Sequence, residues 1–266
     1  MRKRMRNLNR FLGLFLLLGL VIPTFAQEKR PSATPNATPR PQVSKIPQPG
    51  ARPQFRPAVL GAGSDSLINR IDTNDLLKKG QKDGAVMFAA LVSPNGDISS
   101  AWTYRPMPGT EALQQELQKR LASAKFTPPI YQYQPVGVLL FGTAIFSAIS
   151  KPHIQIFLNQ DPSELKAASD FIAPQPVIGG DSKFEGLTPP EGGTPVPLTA
   201  VVDLRLKVNR EGGLEGIEVV GEEPPLLGFA EAAMANFRDA KFIPAFRNGD
   251  PDDASVTQPI CYKPIE

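Results

Sequence analysis

Two stretches of the chain set apolar residues at every second position, the period of a strand with one buried face. They are Val86, Phe88, Ala90, Val92 and Val202, Leu204, Leu206, Val208. A glycine-bearing turn follows each, Pro94-Asn95-Gly96-Asp97 in the first and Asn209-Arg210-Glu211-Gly212-Gly213 in the second. Asn-Gly favours the positive φ angles of a tight hairpin. Second strands are predicted over residues 98–104 and 214–220, with proline-rich connectors at 106–109 and 222–225. The period then changes. Leu113, Leu117 and Leu121, and again Phe229, Ala233 and Phe237, fall on one helical face. This predicts helices over 111–124 and 226–240, with Thr110 as a cap of the first. Pro128 and Pro244 prevent either helix from continuing. Last strands are predicted over 136–146 and 254–262, with one more over 153–158.

These two series are one series written twice. Ala124-Lys125-Phe126-Thr127-Pro128 recurs as Ala240-Lys241-Phe242-Ile243-Pro244, 116 residues later. The same offset, without a gap, carries the first strand, Gly96, the three helical apolar positions and Ile145-Phe146 onto their counterparts, ending at Cys261-Tyr262. A fainter echo pairs Val59-Leu60-Gly61 with Val177-Ile178-Gly179. The fold class expected is α+β: two tandem β-β-α-β modules, each a helix packed on a short antiparallel sheet.

The N-terminal segment follows other rules. Arg2, Lys3, Arg4, Arg6 and Arg10 precede a twelve-residue apolar run, Phe11 to Ile22, and Thr24-Phe25-Ala26 offers small residues before a cut. This is the layout of a signal peptide cleaved after Ala26; a spanning helix needs about 20 apolar residues. Residues 27–60 hold eight prolines and almost nothing to bury, as expected of a disordered, extended tether. The expected organisation is a signal peptide (1–26), a basic proline-rich linker (27–60), repeat 1 (61–158), a Pro/Gly-rich connector (159–197) and repeat 2 (198–266). Charge follows these boundaries. The whole chain is +3, but residues 1–26 carry five basic groups and no acid, and residues 27–60 carry six against one. The other 206 residues are net −7, which removes the case for nucleic-acid binding.

Candidate chemistry is sparse. One cysteine and one histidine exclude, within one chain, a disulfide, a four-cysteine zinc site and a multi-histidine centre. His153 lacks a motif that would activate a nucleophile, and reads as a strand histidine. Cys261, out of phase with Ile260 and Tyr262, reads as a small buried residue. Residues 248–253 carry calcium-like oxygens without the loop length or closing glutamate of an EF-hand, and read as a solvated turn. Gly61-Ala62-Gly63 lacks the lysine of a phosphate loop. Trp102, Tyr104, Tyr131 and Tyr133 read as packing, with an aromatic contact patch as the alternative. Lys125 and Lys241 read as structural cations near helix C-termini. No enzyme activity, cofactor or metal is expected.

Each repeat resembles the C-terminal domain of TonB-family energy transducers. The resemblance is carried in repeat 2 by the alternating strand 202–208, Gly212, residues 217–220 and 230–237, Lys241-Phe242-Ile243-Pro244-Ala245, Asn248-Gly249 and Pro259-Ile260-Cys261-Tyr262. Repeat 1 keeps Phe126, Pro128 and Phe146, but residues 131–135 replace the polar glycine turn. The resemblance implies a helix on a short antiparallel sheet and a binding role, in which an extended peptide from an outer-membrane receptor is added beside the sheet. An exposed strand edge offers unpaired N–H and C=O groups for such pairing. The expected edges are the last strand of each repeat, and the expected partner-binding residues are Ala254, Val256, Thr257, Ile260 and Tyr262 in repeat 2, with Val138 and Leu140 in repeat 1. The partner expected is a protein or peptide; the same edges allow a homo-oligomer. The cleavable leader implies a periplasmic or secreted adaptor with no membrane span. An uncleaved leader would make it an inner-membrane-anchored transducer facing the periplasm. A groove between the repeats that holds a small ligand or performs catalysis is the remaining alternative.

Overall fold

The computed structural model describes residues 52–159, 170–191 and 198–263. The expected signal peptide, residues 27–51 of the expected linker, and residues 160–169, 192–197 and 264–266 lie outside the described residues. In chain order the elements are β1 (Phe55–Arg56), α1 (Leu67–Arg70), α2 (Thr73–Lys78), β2 (Gly84–Val92), β3 (Ile98–Tyr104), α3 (Glu111–Leu121), β4 (Ile130–Tyr131), β5 (Gln134–Pro135), β6 (Gly137–Ser147) and β7 (His153–Leu158). There follow β8 (Phe171–Ile172), β9 (Gln175–Ile178), β10 (Ala200–Val208), β11 (Leu214–Glu223), α4 (Phe229–Phe237), β12 (Phe242–Ile243), β13 (Ala245–Arg247), β14 (Asp250–Asp252) and β15 (Ala254–Tyr262). The chain is α+β with antiparallel sheets, as the periodicities predict. Helix α4 starts later than expected because Leu226 and Gly228 both take positive φ, 64° and 80°, which an α-helix does not permit.

The same backbone bonds occur 116 residues apart. Phe126 N–H donates to Gly96 O at 2.9 Å, and Phe242 N–H to Gly212 O at 2.9 Å. Gly96 and Gly212 sit at φ 86° and 81°, and a Cβ on either would lie 2.1 or 2.0 Å from the carbonyl oxygen of Phe126 or Phe242. Only glycine permits that approach, and this is why the turn glycine and the Phe-x-Pro element recur together. The structure sets the register of the echo two residues away from the expected one, at the common offset of 116: Leu60 bridges Phe126, and Pro176 pairs with Phe242.

The two ladders differ in surroundings. In the first, β2 lies between β3 and β6, and β6 pairs on its far side with β7 over residues 142–147 and with β9 at 137–138. In the second, β10 lies between β11 and β15. Strand β9 also pairs with β12, so a piece of the second ladder's module completes the six-stranded sheet of the first. One face of the first sheet, with Val86, Phe88, Val92, Val138, Leu140 and Ala144, packs on Leu113, Leu117 and Leu121 of α3. Its other face, Ala89, Trp102, Tyr104, Leu139 and Phe141, joins the core of Val202, Leu204, Leu206, Phe229, Phe237 and Ile260. Both faces of the first sheet are therefore buried, where one was expected. That explains the near-continuous apolar runs of β2 and β6.

Residues 52–60 also depart from expectation. They were expected in the disordered linker, yet Phe55 pairs with Tyr131 and Ala58 is fully buried. The buried Gln175 amide donates to Ala58 O and accepts from Ala58 N–H, both at 2.8 Å. One side chain thus imitates a neighbouring strand. The prolines on either side did not reveal this, because the pairing partner is 117 residues away.

Candidate functional site

The expected partner-binding residues separate into two groups. Val138 and Leu140 are fully buried in β6, which has strands on both sides. They are no edge, and the expectation for them is corrected: residues 153–158 and 175–178 supply neighbours that the apolar pattern of 136–146 could not reveal. In repeat 2, β15 pairs with β10 alone and ends its three-stranded sheet among the described residues.

The side chains of β15 alternate. Val256, Ile260 and Tyr262 are buried in the core beneath α4, where the Tyr262 ring lies 5.2 Å from that of Phe229 and its hydroxyl accepts from Asn236 Nδ2 at 2.8 Å. Burial pushes the Tyr262 phenol well above its ordinary range. These three side chains hold the strand in place and are not surfaces for a partner; Ala254, in the same phase, is half-buried and packed against that core. Thr257 lies in the opposite phase and is half-buried. What β15 offers outward is backbone. Pro259 sits in the middle of the strand opposite Asp203. Proline has no N–H and is tolerated in a strand where that position faces away from the ladder. Peptide groups alternate in direction, so those of Ser255 and Cys261 face the same way as Pro259.

Two clefts flank this strand. One is lined by Val256, Thr257 and Pro259 together with Phe141, Thr143 and Phe157 of the first sheet. The other lies at the end of β15, between Trp102, Leu187, Pro189 and Lys263. There the Lys263 ammonium lies 4.7 Å from the Trp102 ring centroid and 2.9 Å from Ser100 Oγ. Cys261 is fully buried beside Trp102, and its thiol is pushed up to about 11 by burial. It is a packed residue of low nucleophilicity. Arg105 grips Asp203 with two hydrogen bonds, of 2.9 and 3.0 Å, and joins the two modules at their rim. Neither Arg105 nor Lys263 carried a sequence signal, because each acts across the inter-module contact.

The other candidates resolve into structure. His153 is exposed at the start of β7, with Nδ1 3.1 Å from Lys151 O. Trp102 and Tyr104 are buried between the sheets, Tyr131 packs on Phe55 and Tyr133 is exposed, so the four aromatics form no single patch. Residues 248–253 form the β13–β14 hairpin, in which Asp252 pairs with Arg247 and Asp253 with Arg210. Among the described residues no cluster of three metal-ligating side chains occurs, and no helix is long and apolar enough to cross a membrane. Lys125 pairs with Asp97 of the glycine turn at 2.9 Å. Thr110 sits at the start of α3, but its hydroxyl donates to Met107 O, and the buried Gln81 caps the helix from outside by accepting from Leu113 N–H at 2.8 Å.

No curated protein and no solved structure matches the chain. One family model does: residues 197–264 match the Gram-negative bacterial TonB protein C-terminal. The matched span begins just before β10 and ends just after β15. The second module, residues 197–264, is thus a TonB C-terminal domain.

Proposed function

We propose that the described body is a duplicated TonB C-terminal-type module that holds an extended segment of another envelope protein beside β15, without catalysis. One observation carries this reading. In the first module, the strand equivalent to β15 is β6, and β7 lies antiparallel along its outer side from Gly142 to Ser147. The last strand of this architecture thus has room and backbone polarity for one more strand. In module 1 the chain itself supplies it; in module 2 the added strand comes from a partner. The hydrogen bonds repeated at an offset of 116 residues support the equivalence. The family's association with outer-membrane receptors makes a receptor segment the natural partner class. The proposed setting is the periplasm, reached by cleavage after Ala26, with residues 27–51 as a basic tether. An intact N-terminus in the exported protein would instead favour an anchored transducer.

The test uses full-length protein and a displayed library of random twelve-residue peptides. Selected peptides should bind about tenfold more weakly to Ser255→Pro. That substitution removes an outward N–H from β15 while sparing the β10 ladder, and a hydrogen bond is worth about 1 kcal/mol. An alanine at Glu218 on the opposite edge strand, β11, should not weaken them. Peptides that bind Ser255→Pro as tightly as the wild type would overturn the reading.

A further inference from the structure

The hairpin that joins β6 to β7 ends in an aliphatic residue. Ile149 is 69% exposed. Its carbonyl accepts from Lys151 N–H at 2.7 Å across Ser150, which takes φ 62°. The Asp83 carboxylate accepts from Ala148 N–H at 2.6 Å and pins the hairpin to the loop after α2. Leu77, 44% exposed, lies at the end of α2 and lines the same shallow depression as Lys82, Ala148 and Ile149. Two aliphatic side chains are thus held in water on a fixed support, which costs free energy unless something covers them.

Charge identifies the cover. Lys78 adjoins Leu77, Lys82 lines the depression and Lys151 follows the Ile149 turn. None of these three lysines forms an ion pair among the described residues. Of the nearby charges, Lys79 and Asp75 satisfy each other at 2.6 Å, and Asp83 is engaged with the backbone. Three lysines next to the exposed aliphatics along the chain, one of them lining the depression beside Asp83, stand out on a body that is net −7 over residues 61–266. Among the described residues the most exposed apolar side chain, Leu226 at 93%, is flanked instead by Glu222 and Glu223. We propose that the Leu77–Ile149 face of module 1 docks on an anionic phospholipid surface. The lysines would meet headgroup phosphates, and the two aliphatic tips would enter the headgroup boundary. The acidic Leu226 tip takes no part. This proposal is independent of strand addition at β15.

The test places an environment-sensitive dye on Ser150→Cys in the full-length protein. Cys261 is buried with its thiol pushed up to about 11, so it stays unlabelled at neutral pH. The probes are vesicles of phosphatidylglycerol with phosphatidylethanolamine, vesicles of phosphatidylcholine alone, and soluble heparin. A blue shift is expected on the anionic vesicles only, reversed at about 0.5 M salt. Replacing Lys78, Lys82 and Lys151 by glutamine should weaken the response about a hundredfold, about fivefold per lysine. Ile149→Ser should weaken it about fivefold, and Leu226→Ser should leave it unchanged. Vesicles that bind without a dye response would show that another segment carries the affinity. That result, an equal response on phosphatidylcholine, an unaffected lysine variant, or a heparin response equal to that of the vesicles would overturn the proposal.

Discussion

Trp102 and Tyr104 on β3 correspond, 116 residues on, to Glu218 and Val220 on β11. The first pair is 9% and 3% exposed, whereas Val220 is 48% exposed and the Glu218 side chain pairs with Arg205 in solvent. The same place in the same motif is interior in one module and surface in the other. The difference arises because the first sheet serves as a floor for the second. The face that carries Trp102 and Tyr104 also supplies Ala89, Leu139 and Phe141 to the neighbouring core, while the second sheet keeps Arg205 and Lys207 in water. The edges differ in the same sense: β6 is flanked on both sides, and β15 is the last strand of its sheet among the described residues. On the proposed function, the first module serves as scaffold and the second presents the edge for a partner.

The most severe way to break this contrast is to strip β7 from β6. Ile154 and Ile156 are half-buried and pack on the core beneath α3. Changing both to aspartate removes apolar burial and places two charges there, a loss of about 4 kcal/mol. With β6 uncovered, light scattering after size exclusion should detect a larger assembly than the wild type forms. An unchanged mass and melting temperature would show that β7 does not protect the edge.

A smaller effect tests the equivalence itself. Gly96→Ala and Gly212→Ala each force a Cβ against a carbonyl oxygen at a positive φ. Each should cost about 3 kcal/mol, or on the order of 10 °C in melting temperature. Similar losses would mark the two turns as the same structural device. A loss at one glycine only would mean that the shared pattern outlived a shared role.

This turn was legible in the sequence for the same reason that it is stiff. A glycine that must approach the Phe-x-Pro strand leaves no alternative residue, so it survives where neighbouring positions diverge. The helical faces were legible because Leu113, Leu117 and Leu121, and Phe229, Ala233 and Phe237, each need only their own sheet. The edges were not legible. Whether β6 is interior depends on β7 and on four residues of β9, and a strand's own pattern does not report what lies beside it. Phe55 and Ala58 were hidden for a related reason: their partners are Tyr131 and Gln175, far along the chain, and the prolines between them resemble those of a linker. The candidate site was half legible. Strand β15 was placed correctly from Ala254 to Tyr262, but the side chains expected to meet a partner prove to be its anchors.

The mildest test concerns the polar cost of the first sheet's place as a floor for the second. The Tyr104 hydroxyl is buried without a hydrogen-bond partner, and its counterpart Val220 has no polar group to satisfy. An unpaired buried hydroxyl costs about 1 kcal/mol or more. Tyr104→Phe should therefore raise the melting temperature by about 3 °C at neutral pH. Burial also holds the Tyr104 phenol far above its ordinary range. A group whose folded pKa is raised contributes stability below the unfolded pKa and loses it as pH rises beyond. The unfolded chain ionises near pH 10, while the folded chain keeps Tyr104 neutral. Wild-type stability should thus fall above about pH 10, and Tyr104→Phe should flatten part of that fall. Thermal melts of both proteins from pH 7 to 11 measure the two effects together. A variant less stable than the wild type at pH 7 would mean that the hydroxyl has a partner, and that the inter-sheet contact is more polar than its residues indicate.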